Sequence, residues 1–129
     1  MLYEEKQIET IPVGPLGLIP LKSCEALGKK VDEWLVGWRH ERESEHKTTI
    51  AFAGYQRDSY LVNAHVPRFG SGEAKGVIDE SVRGMDLYIL VDVCNYSLTY
   101  SMSGNTNHMS PDDHYQNLKR IIAAVGGKA

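Results

Sequence analysis

His108, Asp112, Asp113 and His114 are side-chain types that hold metal ions, and they fall close together in the chain. A helix start accounts for the acids more simply. Ser110 is a capping residue, Pro111 fits a first turn, and Asp112 and Asp113 suit the positive end of a helix dipole. We therefore assign no metal ligand to this chain. Cys94 follows an apolar run, at the strand end where α/β folds place reacting groups. A thiol nucleophile also needs an activating base, so packing is the favoured role for Cys94. Cys24 and Cys94 form no CxxC pair and are too few for a structural zinc site; they read as reduced thiols. His65 reads as a hydrogen-bonded or half-exposed strand residue. Trp34 and Trp38 read as core.

The elements that position these residues follow from periodicity and chain breakers. Residues 1–10 are polar and form a strand or a frayed arm. Residues 11–21 are apolar but interrupted by Pro12, Gly14, Pro15, Gly17 and Pro20, which argues against a helix and for a short buried strand over 17–19. Ser23 is the candidate cap of a helix over 24–39, with Leu27, Val31, Trp34, Leu35 and Trp38 as its apolar stripe. Residues 40–47 are a charged, solvated helix end and loop. A β-branched strand over 48–52, a turn over 54–59 and a longer strand over 60–69 come next. The turn 70–72 and a returning strand over 73–78 complete a hairpin with a Gly-rich tip. After a connector, the apolar run 86–93 predicts a central parallel strand covered on both faces. Residues 95–109 are polar and read as an extended loop. The final helix starts at Ser110, buries Leu118, Ile121, Ile122 and Val125, and ends at Gly126 and Gly127.

The bulk properties exclude several classes. The chain has 129 residues, one ordinary domain, with 42% hydrophobic and 24% charged residues. Its 14 basic and 17 acidic side chains give a net charge of −3, with no global attraction to nucleic acid or anionic lipid. The N-terminal stretch lacks a signal peptide's pattern, and no apolar run is long enough for a transmembrane helix, so the expected compartment is the cytoplasm. A helix leaving a central strand ordinarily leads to the next parallel strand. Only Lys128 and Ala129 follow the last helix, so the expectation is that residues 1–129 are one domain of a longer protein, not a complete enzyme.

One stretch carries a family resemblance. Arg68, Phe69, Gly70, Ser71, Gly72 and Glu73 run in succession; Glu80, Ser81, Val82, Arg83 and Gly84 follow, and then the apolar strand. This resembles the first domain of the ribose-phosphate pyrophosphokinase (phosphoribosyl pyrophosphate synthetase) family, whose hairpin tip reads Arg-Phe-Ser-Asp-Gly-Glu and is followed at the same separation by Glu-Ser-Val-Arg-Gly. The match covers about a quarter of the chain. Residues 105–129 and the N-terminal extension look like the divergent branch found in clostridia and related bacteria.

The resemblance implies an α/β fold, a Rossmann-like three-layer domain of the type I phosphoribosyltransferase kind. Its sheet would be mostly parallel with an added β-hairpin, incomplete at the C-terminal end. It implies a full-length enzyme that uses magnesium to transfer the diphosphoryl group of ATP to ribose 5-phosphate, giving AMP and phosphoribosyl pyrophosphate. The pentose-phosphate loop and the basic catalytic loop do not occur in these 129 residues, so no catalytic residue is assigned here and the domain alone is expected to be inactive and to bind no cofactor. Phe69, Ser71 and Glu73 match the positions that hold the adenine of ATP bound to a neighbouring subunit of a homo-oligomer. In that role the Phe69 ring stacks on the base and Glu73 accepts from its exocyclic amine. Ser71 stands where the family usually has Asp or Asn. Ser81 and Arg83 match a phosphate-binding position of the family's regulatory nucleotide site, a hydroxyl and a guanidinium suited to an anion. Two other readings compete: a non-catalytic regulatory or assembly relative, and an unrelated small nucleotide-binding module.

Overall fold

The computed structural model describes residues 14–45 and 57–129. The strand expected over 48–52, the arm 1–10 and the start of the turn 54–59 lie outside the described residues. Within them the protein is an α/β domain with parallel and antiparallel strands and two helices. The order is β1 (Leu16–Pro20), a 3-10 turn (Lys22–Cys24), α1 (Glu25–Ser44), β2 (Ala64–His65), β3 (Val77–Ile78), β4 (Asp86–Leu90), β5 (Thr99–Met102), β6 (Asn105–His108) and α2 (Pro111–Val125).

β1 organises the packing. It pairs in parallel with β4, Leu18 opposite Tyr88. On its other side the Leu18 N–H donates to the Tyr60 carbonyl and the Val62 N–H donates to the Leu18 carbonyl, both at 2.8 Å. Successive strand residues face opposite ways, so β1 feeds two cores. Leu16 and Leu18 pack with Tyr60 against Val31, Leu35 and Val36 of α1. Ile19 packs with Val62, Val82, Met85 and Ile121 of α2. The helices therefore cover opposite faces of the parallel strands.

Four corrections concern the strands and the bounds of α1. First, the central strand is β1, and β4 pairs only with β1 among the described residues. The apolar run of β4 is not covered on both faces, since Tyr88 is 62% exposed. Second, 60–69 is not one strand: Leu61 bridges to β1, and the chain then changes partner at Ala64–His65 to pair with β3. Third, residues 95–109 are not an extended loop but carry the antiparallel pair β5–β6. Fourth, α1 starts at Glu25, Cys24 occupies its cap position without a side-chain cap bond, and the helix runs on to Ser44. Ser23 instead accepts a hydrogen bond from the Asp92 N–H at 3.0 Å.

The α1 stripe is also rotated. Leu27, Trp34 and Trp38 are exposed, whereas Gly28 and Asp32 are buried. The reason is polar. Asp32 accepts from the Tyr60 N–H at 2.6 Å and from the Ser59 hydroxyl at 2.8 Å. A carboxylate with two donors is a stable buried group, and it fixes which side of the helix meets Tyr60. That burial, more than nearby charges, pushes the Tyr60 phenol above its usual range.

α2 begins at Ser110 as its sequence predicts. The Asp113 N–H donates to the Ser110 hydroxyl oxygen at 3.1 Å, and the Asp113 carboxylate accepts from the Ser110 N–H at 2.8 Å, a reciprocal capping box. Ile121 is fully buried, with Leu118 and Val125 partly buried beside it, but Ile122 is 53% exposed. Ser110→Ala removes the cap acceptor and is expected to lower the unfolding free energy by about 1 kcal/mol in a urea titration. The helix also passes close to the hairpin. A Cβ on Gly76 would collide with the Arg120 carbonyl oxygen, so a side chain there has no space.

Candidate functional site

The hairpin runs from Asn63 to Asp79, beyond its two short strands. Ala64 faces Ile78, His65 faces Val77, and Arg68 faces Ala74 in continuous register. The Asp79 N–H donates to the Asn63 carbonyl at 2.9 Å and the Phe69 N–H donates to the Glu73 carbonyl at 2.7 Å, closing root and tip. Arg68 lies along the inside of the bend, its Nη1 donating to the Gly72 carbonyl at 2.6 Å. This contact straps the tip across its own turn. Phe69, Ser71 and Glu73 all project from the tip and are exposed, and the Phe69 ring is 50% exposed. The three expected base-binding side chains are thus gathered in one turn and open to solvent.

Ser81 and Arg83 lie on a separate turn. Val82 between them is 7% exposed and anchored in the core, so its two neighbours face outward together. The Met85 N–H donates to the Val82 carbonyl at 3.1 Å and closes the turn. A hydroxyl and a guanidinium beside one another in solvent can meet an anionic oxygen.

A cleft of about 810 Å³ opens at the carboxyl end of β1, where α/β folds bind ligands. Its lining includes Lys22, Ser23, His65, Arg68, Tyr100 and Asn117, so β5 and α2 complete a wall that the first hairpin starts. His65 is half-exposed there, its Nδ1 lying 3.1 Å from an Asp79 carboxylate oxygen.

The other chemically capable residues have separate tasks. The Asp113 carboxylate serves the α2 cap. His114 is 2% exposed and its Nε2 lies 2.6 Å from the Asn95 carbonyl. The His108 Nδ1 lies 2.8 Å from the Tyr96 carbonyl, and its ring stacks on Tyr96 at 4.4 Å between centroids. Among the described residues no three His, Cys, Asp or Glu side chains converge as metal ligands. No metal-binding role is therefore assigned to His108, Asp112, Asp113 or His114. Both cysteines are free. Cys94 is exposed, contrary to the packing role expected of it, because the chain leaves the sheet at Leu90 before reaching it. Burial, and then the Asp92 carboxylate, raise the Cys24 thiol above its usual range, so it stays protonated at neutral pH. No described helix is long and apolar enough to cross a membrane.

Sequence reasoning missed Tyr100, Met102 and Ser103, which touch the hairpin from the second antiparallel pair. The available signal was the short alternation Thr99-Tyr100-Ser101-Met102 followed by Ser103-Gly104. Both turn residues have positive φ, 50° and 80°, the geometry of a two-residue hairpin turn.

A family model described as the N-terminal domain of ribose phosphate pyrophosphokinase matches residues 16–128. No curated protein and no solved structure matches the chain.

Proposed function

Because the chain belongs to the family defined by the N-terminal domain of ribose phosphate pyrophosphokinase, we propose that its hairpin tip holds the adenine of ATP in an enzyme that makes phosphoribosyl pyrophosphate. The observation that carries this reading is the outward display of Phe69, Ser71 and Glu73 on one strapped turn. The Phe69 ring supplies a face for the purine, and the Glu73 carboxylate accepts from its exocyclic amine. Ser71 offers a hydroxyl where a carboxylate or amide is usual, so its contact is the weaker one.

In the proposed reaction, the anomeric hydroxyl oxygen of ribose 5-phosphate attacks the β-phosphorus of ATP. The bond between that phosphorus and the α,β-bridging oxygen breaks, the hydroxyl proton is lost, and AMP leaves. Such transfers depend on positioning and charge neutralisation. Magnesium, which the family resemblance implies for the whole enzyme, would supply the neutralisation. The residues of this domain contribute base binding and orientation, and the tip would serve the site of a neighbouring subunit. Ser81 and Arg83 would take a phosphate group of a regulatory nucleotide.

The test is AMP formation from ATP, ribose 5-phosphate and magnesium by the full-length protein. Stoichiometric AMP and phosphoribosyl pyrophosphate are expected. Their absence under conditions where the protein is folded and binds ATP would favour a non-catalytic regulatory relative.

A further inference from the structure

The tip does not stand alone, because the turn of β5–β6 is docked against it. The Ser103 N–H donates to the Gly70 carbonyl at 3.0 Å. The Arg68 guanidinium sits over the Tyr100 ring, 4.1 Å from its centroid, while its Nη1 holds the Gly72 carbonyl. Met102 fills the space beside Gly72, where an added Cβ would be 2.6 Å from the Met102 Sδ. Arg68, Gly70 and Gly72 of one hairpin therefore meet Tyr100, Ser103 and Met102 of the other.

The far end of β5–β6 is fastened as well. The Met109 N–H donates to the Leu98 carbonyl at 2.8 Å, closing the pair at its base. Met109 is 8% exposed, and the α2 capping box begins at the next residue. Buried His114 of α2 ties back to the Asn95 carbonyl at the entry to the pair. A continuous run of contacts thus leads from the core-packed helix α2 to the base-binding turn.

We propose that β5–β6 is a brace that positions the adenine-binding tip, with Tyr100 and Met102 as its positioning residues. This inference rests on the base-binding reading of Phe69 and Glu73. A two-stranded hairpin is marginally ordered by itself, and a turn with exposed side chains pays an entropic cost when it is immobilised on a ligand. Tyr100 holds Arg68 in the orientation that straps Gly72, and Met102 closes the space behind it. The tip is therefore ordered before the nucleotide arrives. Neither residue needs to touch the base.

The experiment uses the full-length protein with Tyr100→Ala, Tyr100→Phe and Met102→Ala, and Phe69→Ala alongside. Amide hydrogen exchange reads the brace directly, and steady-state kinetics read its effect. Tyr100→Ala is expected to accelerate exchange at Ser103 and Gly72 and to raise KM for ATP roughly threefold to tenfold, with kcat changed less than about twofold. Tyr100→Phe keeps the ring under Arg68 and is expected to restore both readouts. Met102→Ala, at a partly exposed position, gives the same pattern more weakly and covers the case in which Tyr100→Ala fails to fold. Unchanged exchange at the tip in the alanine variants would overturn the brace. Accelerated exchange with an unchanged KM for ATP, while Phe69→Ala raises it, would overturn the positioning role and leave the base reading standing. If Phe69→Ala also leaves KM unchanged, the base reading fails and the brace's function fails with it.

Discussion

Phe69→Ala in the full-length protein is expected to raise KM for ATP about tenfold, because stacking of a base on an aromatic ring is worth roughly 1–3 kcal/mol and each 1.4 kcal/mol is a factor of ten. The ring is 50% exposed, so its loss removes little core packing. The unfolding midpoint should therefore stay within about 1 °C of the parent, consistent with the small effect of surface substitutions. Loss of uniform binding raises KM and leaves kcat nearly intact. Substrate-saturation curves for ATP at fixed ribose 5-phosphate distinguish the cases. An unchanged KM would remove Phe69 from the nucleotide site. A parallel fall in thermal stability would instead assign the ring to hairpin packing.

The largest effect on folding is expected at Ile121. Its side chain is fully buried and meets Ile19, Val62, Val82 and Met85, which come from β1, from the segment beside it, and from the approach to β4. Ile121→Ala deletes three carbons at the point where α2 joins the sheet and is expected to cost about 3 kcal/mol, the sum of lost transfer energy and the cavity left behind. A urea titration with the slope unchanged checks this. A loss below about 1 kcal/mol would show that the surroundings collapse into the gap. The same substitution should loosen the hairpin, because β3 lies against α2 and Val66 and Ile78 border the same core.

Much of this arrangement is legible in the sequence, for identifiable reasons. The α2 start is legible because capping is a local bargain among Ser110, Pro111 and Asp113, which no distant contact overrides. The first hairpin is legible because its tip concentrates glycine where the chain must reverse. The facing of α1 is not, because apolar periodicity alone puts Trp34 and Trp38 inward. Asp32 decides the matter through two donors that come from residues 59 and 60, and such a partner is invisible to a helical wheel. The second hairpin was hidden for a different reason. Thr99–Met102 alternates over only four residues and its partner Asn105–His108 is polar throughout, so the pair lacks the sustained apolar and polar alternation that marks a half-buried hairpin. Their pairing is set by a two-residue turn and by contacts to the first hairpin. The exposed side chains Phe69, Ser71 and Glu73 could be nominated from order along the chain, but the strap from Arg68 to Gly72 and the ring beneath it required three-dimensional proximity.

The missing side chain at Gly76 has a mechanical corollary. With the Arg120 carbonyl so near the backbone there, the returning arm of the first hairpin already rests against the helix and cannot lean further inward. At the other end of the same hairpin, any displacement that separates Gly70 from Ser103 costs the hydrogen bond between them. The hairpin is thus restrained at two separate places, by backbone contact at Gly76 and by a single hydrogen bond at Gly70.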